Sequence, residues 1–451
     1  MTSGPAKLWI LWLLITLALV AYLGYRLLAA DDSSIFLLGQ TSHGHHQIEL
    51  ACSSCHTSSF GGGEVLQEAC VNCHGAALRA SNDDHPRSKF TDPRNADRLQ
   101  HIDARYCVTC HREHKPDITA EMGVTEPDDF CVHCHAGIAE SRPSHAGMEF
   151  NSCATAGCHN YHDNSALYED FLISHAGEAD FHGKMQVPQR TGVADSEQRP
   201  TLTLADIDMP AHLQFSPDIS AQWQHSAHAE SGVNCSDCHG AGDSWVQTPD
   251  HQSCRSCHQL QVDGFLSGMH GMRLAVGLPA MQPKLSWRAM KPDMAEHQLG
   301  CNSCHNDHRH DTVNAAVDAC LGCHADEHST AYKNSAHFRL WQQEQRGELA
   351  PGSGVSCATC HLPRETHQLA GVDQVTVQHN QNSNLRPVEK MARTVCMHCH
   401  GLGFTLDALA DPGLRANNFH GRPHEQVPGI RMAEERLRLQ QQSRQNGPER
   451  R

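Results

Sequence analysis

Cysteine and histidine carry the chemistry of this sequence, with 22 Cys and 37 His in 451 residues. Every cysteine belongs to one of eleven pairs, and a histidine directly follows the second cysteine of each pair. Ten pairs have the spacing Cys-x-x-Cys-His, which is the attachment signature of c-type haem. They are Cys52-Cys55-His56, Cys70-Cys73-His74, Cys107-Cys110-His111, Cys131-Cys134-His135, Cys235-Cys238-His239, Cys254-Cys257-His258, Cys301-Cys304-His305, Cys320-Cys323-His324, Cys357-Cys360-His361 and Cys396-Cys399-His400.

The spacing explains the chemistry. Positions i, i+3 and i+4 share one face of a helical turn, so two thiols can bind one haem as thioethers while the next imidazole binds its iron as the proximal ligand. The eleventh set, Cys153-Cys158-His159, has four residues between its cysteines but keeps the final Cys-His pair. We therefore expect about eleven covalent haem c groups, held by these 22 cysteines and eleven proximal histidines.

Three other uses of paired cysteines fit less well. Zinc binds four ligands per site, and disulfides suit an exported protein. A Cys-x-x-Cys redox motif occurs once or twice in a chain. None of these explains why a histidine follows all eleven pairs.

The other twenty-six histidines exceed the number needed as second, distal iron ligands. A haem with two histidine ligands is six-coordinate and has a low potential. His133 and His398 lie between the cysteines of their own motifs, which favours neither as a ligand. The predicted distal ligands lie beside motifs or in the loops between them: His46, His101, His114, His145, His162, His175, His228, His270, His297, His308, His328, His337, His367 and His379.

The amino terminus predicts where the chain is located. Residues 8–25 are apolar and uncharged, long enough for a membrane helix, with Lys7 before them and Asp31-Asp32 after them. We expect an uncleaved anchor in the inner membrane and a periplasmic body. The alternative is a signal peptide cleaved at Leu28-Ala29-Ala30, and both interpretations place the body in the periplasm.

The motifs form two clusters separated by a Pro- and Gln-rich stretch. We predict a membrane anchor (or signal peptide) at 1–30, a pentahaem domain at 31–165, a linker at 166–224, a hexahaem domain at 225–425 and a polar tail at 426–451. No sustained period-2 pattern indicates strands. The expected fold is mainly α with much irregular structure, in which two haem-packed domains follow the amino-terminal helix and the haems replace a conventional core.

The second cluster contains an internal repeat. Ser226-Ala227-His228 is followed by SGVNCSDCH, and Ser335-Ala336-His337 is followed, after a longer insertion, by SGVSCATCH. The same unit of a histidine followed by a haem motif is therefore used twice.

Residues 43–400 resemble a multihaem c-type cytochrome. The first cluster, with continuations such as His111 to His114, resembles cytochrome c3-like carriers. The second cluster, with Ser335-Ala336-His337 followed by GVSCATCHLPR and VCMHCH, is similar to the hydroxylamine oxidoreductase and cytochrome c nitrite reductase superfamily. The single anchor resembles that of membrane-tethered quinol-oxidising cytochromes. The chain departs from these enzymes because it has neither a CxxCK motif nor a recognisable tyrosine cross-link site.

Two function classes remain. The favoured one is electron transfer between a membrane donor, such as a quinol dehydrogenase, and a periplasmic redox partner. The net charge of the chain is −16, with 35 Lys and Arg, and this disfavours a nucleic-acid partner. The alternative is a multihaem reductase or oxidoreductase that acts on a small nitrogen or sulfur oxyanion at one open haem, with Arg273, Trp287, Arg288 and Lys291 as the residues to inspect.

Overall fold

The structure is a computed structural model. It describes residues 4–30, 34–58, 61–83, 85–120, 122–153, 159–163, 169–183, 187–191, 199–213, 216–369 and 371–445. The chain divides into two compact units, of which the first comprises residues 1–73 and 104–126 and the second comprises 74–103 and 127–451. The predicted domain boundaries remain a prediction, and Cys158 lies outside the described residues.

Helices make up most of the regular structure, and many are single turns. The helices of the amino-terminal part are α1 (Gly4–Leu28), α2 (Cys52–Cys55), α3 (Gly63–Ala80), α4 (Arg87–Thr91), α5 (Cys107–Cys110), α6 (Val132–His135), α7 (Ile138–Ser141) and α8 (Glu169–Ser174). Those before the strands are α9 (Pro217–Gln224), α10 (Ala227–Glu230), α11 (Cys235–His239), α12 (His251–Arg255), α13 (Gln259–Ser267), α14 (Met272–Ala275), α15 (Asn302–His305), α16 (Thr312–Ala316), α17 (Asp318–Cys323), α18 (Glu327–Ala331), α19 (Ala336–Gln345) and α20 (Cys357–His361). The strands are β1 (Arg364–Leu369) and β2 (Val372–Val377), and the last helices are α21 (Asn382–Leu385), α22 (Met391–Thr394), α23 (Leu402–Ala410), α24 (Pro412–Ala416) and α25 (Pro428–Gln445). The mainly α fold with much irregular structure is therefore confirmed.

Helix α1 matches the apolar run of the sequence. Residues 5–27, with a mean hydropathy of 2.1 in their most apolar window, are long and apolar enough to cross a membrane, and none of that window is buried. A membrane anchor and a signal sequence both meet this description.

The largest apolar cluster surrounds the last haem motif. It joins Leu172 of α8, Val395, Leu402 and Leu406 of the α22–α23 region, and Ile430 of α25. Leu172 and Leu402 are almost fully buried, so this is the part of the second unit that most resembles a conventional core.

This cluster includes segments for which the sequence predicted no core. Leu172 lies in the predicted linker, and Ile430 and Ala433 lie in the predicted polar tail, yet all three are buried. One apolar residue per turn is enough to seat a short helix when the rest of the helix faces solvent. Such a sparse stripe was not apparent in the Arg-, Gln- and Glu-rich sequence.

A hairpin is the second difference from expectation. Strands β1 and β2 pair antiparallel, from Arg364 opposite Val377 to Leu369 opposite Val372. Gly371 has a φ of +80°, which suits glycine in the turn. The strands are six residues each and only half-buried, so their alternation is too short and too polar to indicate a strand in the sequence.

Candidate functional site

The haem motifs have the local geometry that thioether attachment needs. In seven of them the backbone N–H of the proximal histidine donates to the carbonyl of the first cysteine at 2.8–3.1 Å, closing one helical turn. These histidines are His56, His111, His135, His258, His305, His324 and His400. The turn brings both cysteines and the histidine to one side of the backbone.

The distance between imidazole rings tests whether two histidines fit one iron. Two imidazoles that bind a metal ion from opposite sides, with bonds of about 2 Å, have ring centres about 6 Å apart. In the second cluster, each of the six proximal histidines has another histidine at 5.9–6.3 Å. The pairs, proximal residue first, are His239–His308, His258–His228, His305–His379, His324–His270, His361–His328 and His400–His337.

Two motifs of the first cluster have the same arrangement. His135 lies 6.0 Å from His85, and His159 lies 6.3 Å from His145. His145 was a sequence candidate, whereas His85 was missed because it lies 46 residues before the Cys131 motif. His85 stacks on Tyr161 at 4.3 Å, a contact for which no sequence signal exists.

Backbone carbonyls fix several of these rings. A carbonyl can only accept a hydrogen bond, so the Nδ1 that faces it must carry the proton, and Nε2 then keeps the lone pair that binds a metal. The Nδ1–O distances are 2.5–2.9 Å in five of the paired rings. The donors and acceptors are His85 to Tyr161, His239 to Val246, His328 to Arg415, His379 to Val377 and His400 to Asp180.

Burial keeps several rings uncharged. It lowers the pKa of His270, His305, His337 and His361 to about 4. An imidazole with this pKa is neutral at pH 7, and a neutral imidazole is the form that binds a metal. The ring spacing of all six pairs in the second cluster therefore fits haem iron, and so do the tautomers of four of its rings and the neutral charge of four others.

Motifs that follow one another in sequence are neighbours in the second unit. The side chains of Cys254 and Cys301 hydrogen-bond to each other, as do those of Cys320 and Cys357. Burial and then the nearby Cys320 raise the pKa of Cys304 to about 12. These sulfur atoms belong to the haem motifs, so their contacts show which motifs adjoin.

Further sulfur contacts extend the row at both ends. Burial and then Cys254 raise the pKa of Cys238, and burial and then Cys360 raise that of Cys396. The six motifs of the second cluster thus adjoin in sequence order. In the first cluster, Cys131 also hydrogen-bonds to Cys153. Within the first unit, Cys70 hydrogen-bonds to Cys107.

The remaining distal candidates have other surroundings. Nδ1 of His46 and of His114 faces the carbonyls of His43 and Gly39, at 2.9 and 2.8 Å. His101 lies 6.2 Å from His133, and His162 lies beside Tyr161.

Three more candidates contact groups that are not proximal ligands. Nδ1 of His175 lies 2.6 Å from Glu178, and Nε2 of His297 lies 3.0 Å from the Ser303 hydroxyl. Nε2 of His367 lies 3.7 Å from the Glu365 carboxylate. Nε2 is the nitrogen that ligates iron once Nδ1 is protonated, so the Nε2 contacts of His297 and His367 favour the other candidates. The contact of His175 is at Nδ1 and does not exclude ligation through its Nε2.

Lys291 and Arg288, two of the four residues considered for an oxyanion site, lie near the His324 motif. The Lys291 backbone N–H donates to the Cys323 carbonyl at 2.8 Å, and Arg288 is close enough to His324 to lower its pKa, after the larger effect of burial. His324 faces His270 across 6.3 Å, so both sides of this position are taken by imidazoles. Among the described residues, no group of three or more His, Cys, Asp or Glu side chains is arranged to hold a metal ion by itself.

Comparison with known proteins gives a partial match. No curated protein matches the chain. A family model described as cytochrome c3 matches residues 44–136, which contain the first four haem motifs. This part of the chain is thus similar to cytochrome c3, and the match supports a multihaem electron-transfer cytochrome with covalent haem c.

Proposed function

We propose that this chain is an undecahaem c-type cytochrome that carries electrons in the periplasm. Helix α1 anchors it in the inner membrane, and it connects a membrane donor, such as a quinol dehydrogenase, to a periplasmic redox partner. The observation that carries the proposal is the facing histidine at all six positions of the second cluster. An iron with a histidine on each side has no open position for a substrate.

The residues that would hold the haems follow from the geometry. The eleven motifs supply the thioethers and the proximal imidazoles. His85, His145, His228, His270, His308, His328, His337 and His379 supply distal imidazoles to the eight motifs that they face. When bound, each haem c supplies an iron that takes up and releases one electron. The carbonyl bonds at Nδ1 keep the imidazoles in one orientation, so ligation need not change when the charge changes.

The order of the motifs supports conduction over catalysis. Neighbouring sulfur contacts run from Cys238 to Cys396 without leaving sequence order. A row of this kind offers an electron a continuous series of positions, whereas an enzyme needs one position that is open and chemically distinct. The likeness of the second cluster to the hydroxylamine oxidoreductase and cytochrome c nitrite reductase superfamily is therefore proposed as a likeness in haem arrangement.

Haem count and spin state test the proposal. Intact mass with a pyridine haemochrome titration should give eleven haems per chain, and EPR of the oxidised protein should show low-spin iron. A count of ten haems would indicate that no haem is attached at Cys153 and Cys158. A count below eight would contradict the proposal. A high-spin haem that shifts on addition of nitrite or hydroxylamine, with turnover, would favour the enzyme instead.

A pair of variants tests the ligand assignment. His308→Ala removes the ring that faces His239 and should convert one haem to high spin with a raised potential. His297→Ala is the matched control, because its Nε2 faces Ser303. Equal EPR spectra for the two variants would overturn the assignment of His308.

A further inference from the structure

Two arginines flank the His305–His379 pair. Arg364 begins β1 opposite Val377, and the carbonyl of Val377 accepts the Nδ1 hydrogen bond of His379 at 2.9 Å. Arg364 therefore lies on the distal side of this haem position. The neighbouring strand pairing fixes its backbone, so its place does not depend on a loop.

Arg190 approaches the same position from the proximal side. Its segment runs beside β2, because Thr191 and Val375 exchange two hydrogen bonds at 3.3 and 2.8 Å. The Arg190 guanidinium donates to the Thr312 hydroxyl at 3.3 Å, and Thr312 begins α16 just after the His305 motif. Arg190 is also close enough to His305 to lower the pKa of that imidazole.

The two guanidiniums lack an obvious counter-ion. Arg364 is half-buried and donates through Nη1 to the Pro188 carbonyl at 2.6 Å, which is a neutral acceptor. Burial and the nearby charge of Arg190 lower the pKa of Arg364. Glu344 raises the pKa of Arg364 by less than burial or Arg190 lowers it, and the Glu344 carboxylate accepts from the Gly354 backbone N–H. Neither arginine forms an ion pair with a carboxylate of the described residues.

Arg364 is half-buried and Arg190 is exposed, and two like charges this close repel each other unless an anion joins them. Guanidinium matches a carboxylate with two parallel hydrogen bonds, so a carboxylate is the anion best suited to this place. A haem carries two propionate carboxylates at its edge. The two arginines flank the place that a haem held between His305 and His379 would occupy.

We propose that Arg190 and Arg364 bind the propionates of the haem held by His305 and His379. This inference rests on the proposed function, because it takes those two histidines as the axial pair. It assigns a role to two residues outside the haem motifs. It also makes this position, which is third in the row of six, the one with two added positive charges. The paired charges favour the reduced iron, so this haem should accept an electron more readily than it would without them.

The test needs one haem to be visible among eleven. His379→Ala should make the haem at His305 high-spin and therefore separately measurable by EPR. In that background, Arg364→Gln should lower the electron affinity of the labelled iron about tenfold, which corresponds to about 59 mV in its midpoint potential. Resonance Raman spectra of the high-spin haem should show a shifted propionate bending band. Arg364→Lys should restore the midpoint potential but not the propionate bending band. Lysine keeps the positive charge but cannot form the two parallel hydrogen bonds of a guanidinium.

Controls separate the possible failures. Arg190→Gln is the second variant, since this side chain is exposed and its loss does not threaten folding. Arg346→Gln is the matched control, because Arg346 is exposed and paired with Glu348 at 2.6 Å. If the label appears but neither Arg364→Gln nor Arg190→Gln moves the potential and the band, the propionate assignment is wrong and the axial pair stands. If no high-spin haem appears, the axial pair and this inference fall together. If added sulfate shifts the potential in the unchanged arginine background, the arginines bind a free anion instead.

Discussion

The two segments that begin with Ser-Ala-His, at Ser226 and at Ser335, have the same set of hydrogen bonds, which we call the frame. Their surroundings differ. Ser226 and Ser335 are both almost fully buried, and each caps a helix by accepting a backbone N–H three residues on, at 3.3 and 3.1 Å. Each hydroxyl also donates at 2.7 Å to the carbonyl of the aromatic residue three positions earlier, Trp223 or Tyr332. A serine is the shortest side chain that can do both at once.

The aromatic residues close the frame in the same way. The Trp223 indole donates to the Val233 carbonyl at 3.1 Å, and the Tyr332 hydroxyl donates to the Val355 carbonyl at 2.7 Å. Each valine stands two residues before the first cysteine of a haem motif. The frame therefore ties the helix that bears His228 or His337 to the next haem motif.

The histidines of the two frames also pair alike. His228 faces His258 and His337 faces His400, and in each case one haem motif lies between the partners in sequence. Each frame thus holds a motif of its own and supplies a ligand to the motif after it. This arrangement connects consecutive haem positions through protein as well as through sulfur contacts.

The surroundings differ because the frames occupy different places in the row. The segment that contains Asp206 and Asp208 covers the first frame. Asn234 donates to the Asp206 carbonyl at 2.6 Å, and Asp208 accepts from the Ser236 backbone. The second frame is covered by another haem motif, since Cys357 hydrogen-bonds to Cys320 and Tyr332 packs with Leu321. The same Ser-Ala-His unit can therefore lie at the end of the row of haem motifs or inside it, depending on what covers its first cysteine.

Removing the distal ligands should give the largest difference between the frames. His337→Ala should yield one fully high-spin haem by EPR. His228→Ala should yield less, because the ring of His310 lies 4.2 Å from that of His228 and can move toward the iron. Adding His310→Ala to His228→Ala should then bring the signal to the level of His337→Ala. Equal signals from the two single variants would show that His310 does not substitute.

The aromatic positions come next. Trp223→Phe should lower the free energy of unfolding by about 2 kcal/mol, since it removes a buried hydrogen bond and leaves a cavity. Tyr332→Phe removes the hydrogen bond alone and should cost about 1 kcal/mol. Guanidinium titration of the holoprotein measures both. Trp287→Phe is the control, because Trp287 is 51% exposed. An equal loss from Trp287→Phe would mean that the frame is not what the measurement detects.

The sequence indicated which histidines face the proximal ones better than it indicated their partners. All six histidines that face proximal residues in the second cluster were candidates, because free histidines near haem motifs are the available donors. Their partners depend on tertiary structure. His308 follows the His305 motif closely but faces His239, since a residue three positions on cannot reach the opposite side of its own ring. His85, the hairpin and the buried face of α25 gave no periodic signal, because each depends on contacts with distant segments.

Removing the serine caps should have a smaller effect than changing the aromatic residues. Ser335→Ala and Ser226→Ala should each lower the free energy of unfolding by about 1 kcal/mol, the usual loss for an N-cap. Both losses should be similar, because the two hydroxyls make the same pair of bonds. Ser216→Ala removes the N-cap of α9, which is exposed, and serves as the comparison. A loss at Ser335 several times that at Ser226 would show that the frames are alike in geometry only.

Substitutions in the capping boxes of the Cys235 and Cys357 motifs should have the smallest effect on the free energy of unfolding. The two losses should differ in their dependence on salt. Asp237 accepts from the Asn234 backbone at 2.8 Å with a 43% exposed side chain, whereas Thr359 accepts from the Ser356 backbone at 3.0 Å and is buried. Asp237→Asn keeps the hydrogen bond and removes a charge from the first turn of α11, so it should cost only about 0.5 kcal/mol at low salt and less at high salt. Thr359→Val leaves the Ser356 N–H without its acceptor, and its loss, at about 1 kcal/mol, should not depend on salt. Unfolding midpoints of both variants at two salt concentrations measure the difference. We expect the frame at Ser335 to depend on buried hydrogen bonds and the frame at Ser226 to depend partly on exposed charge. A salt-dependent loss of stability in Thr359→Val would contradict this difference.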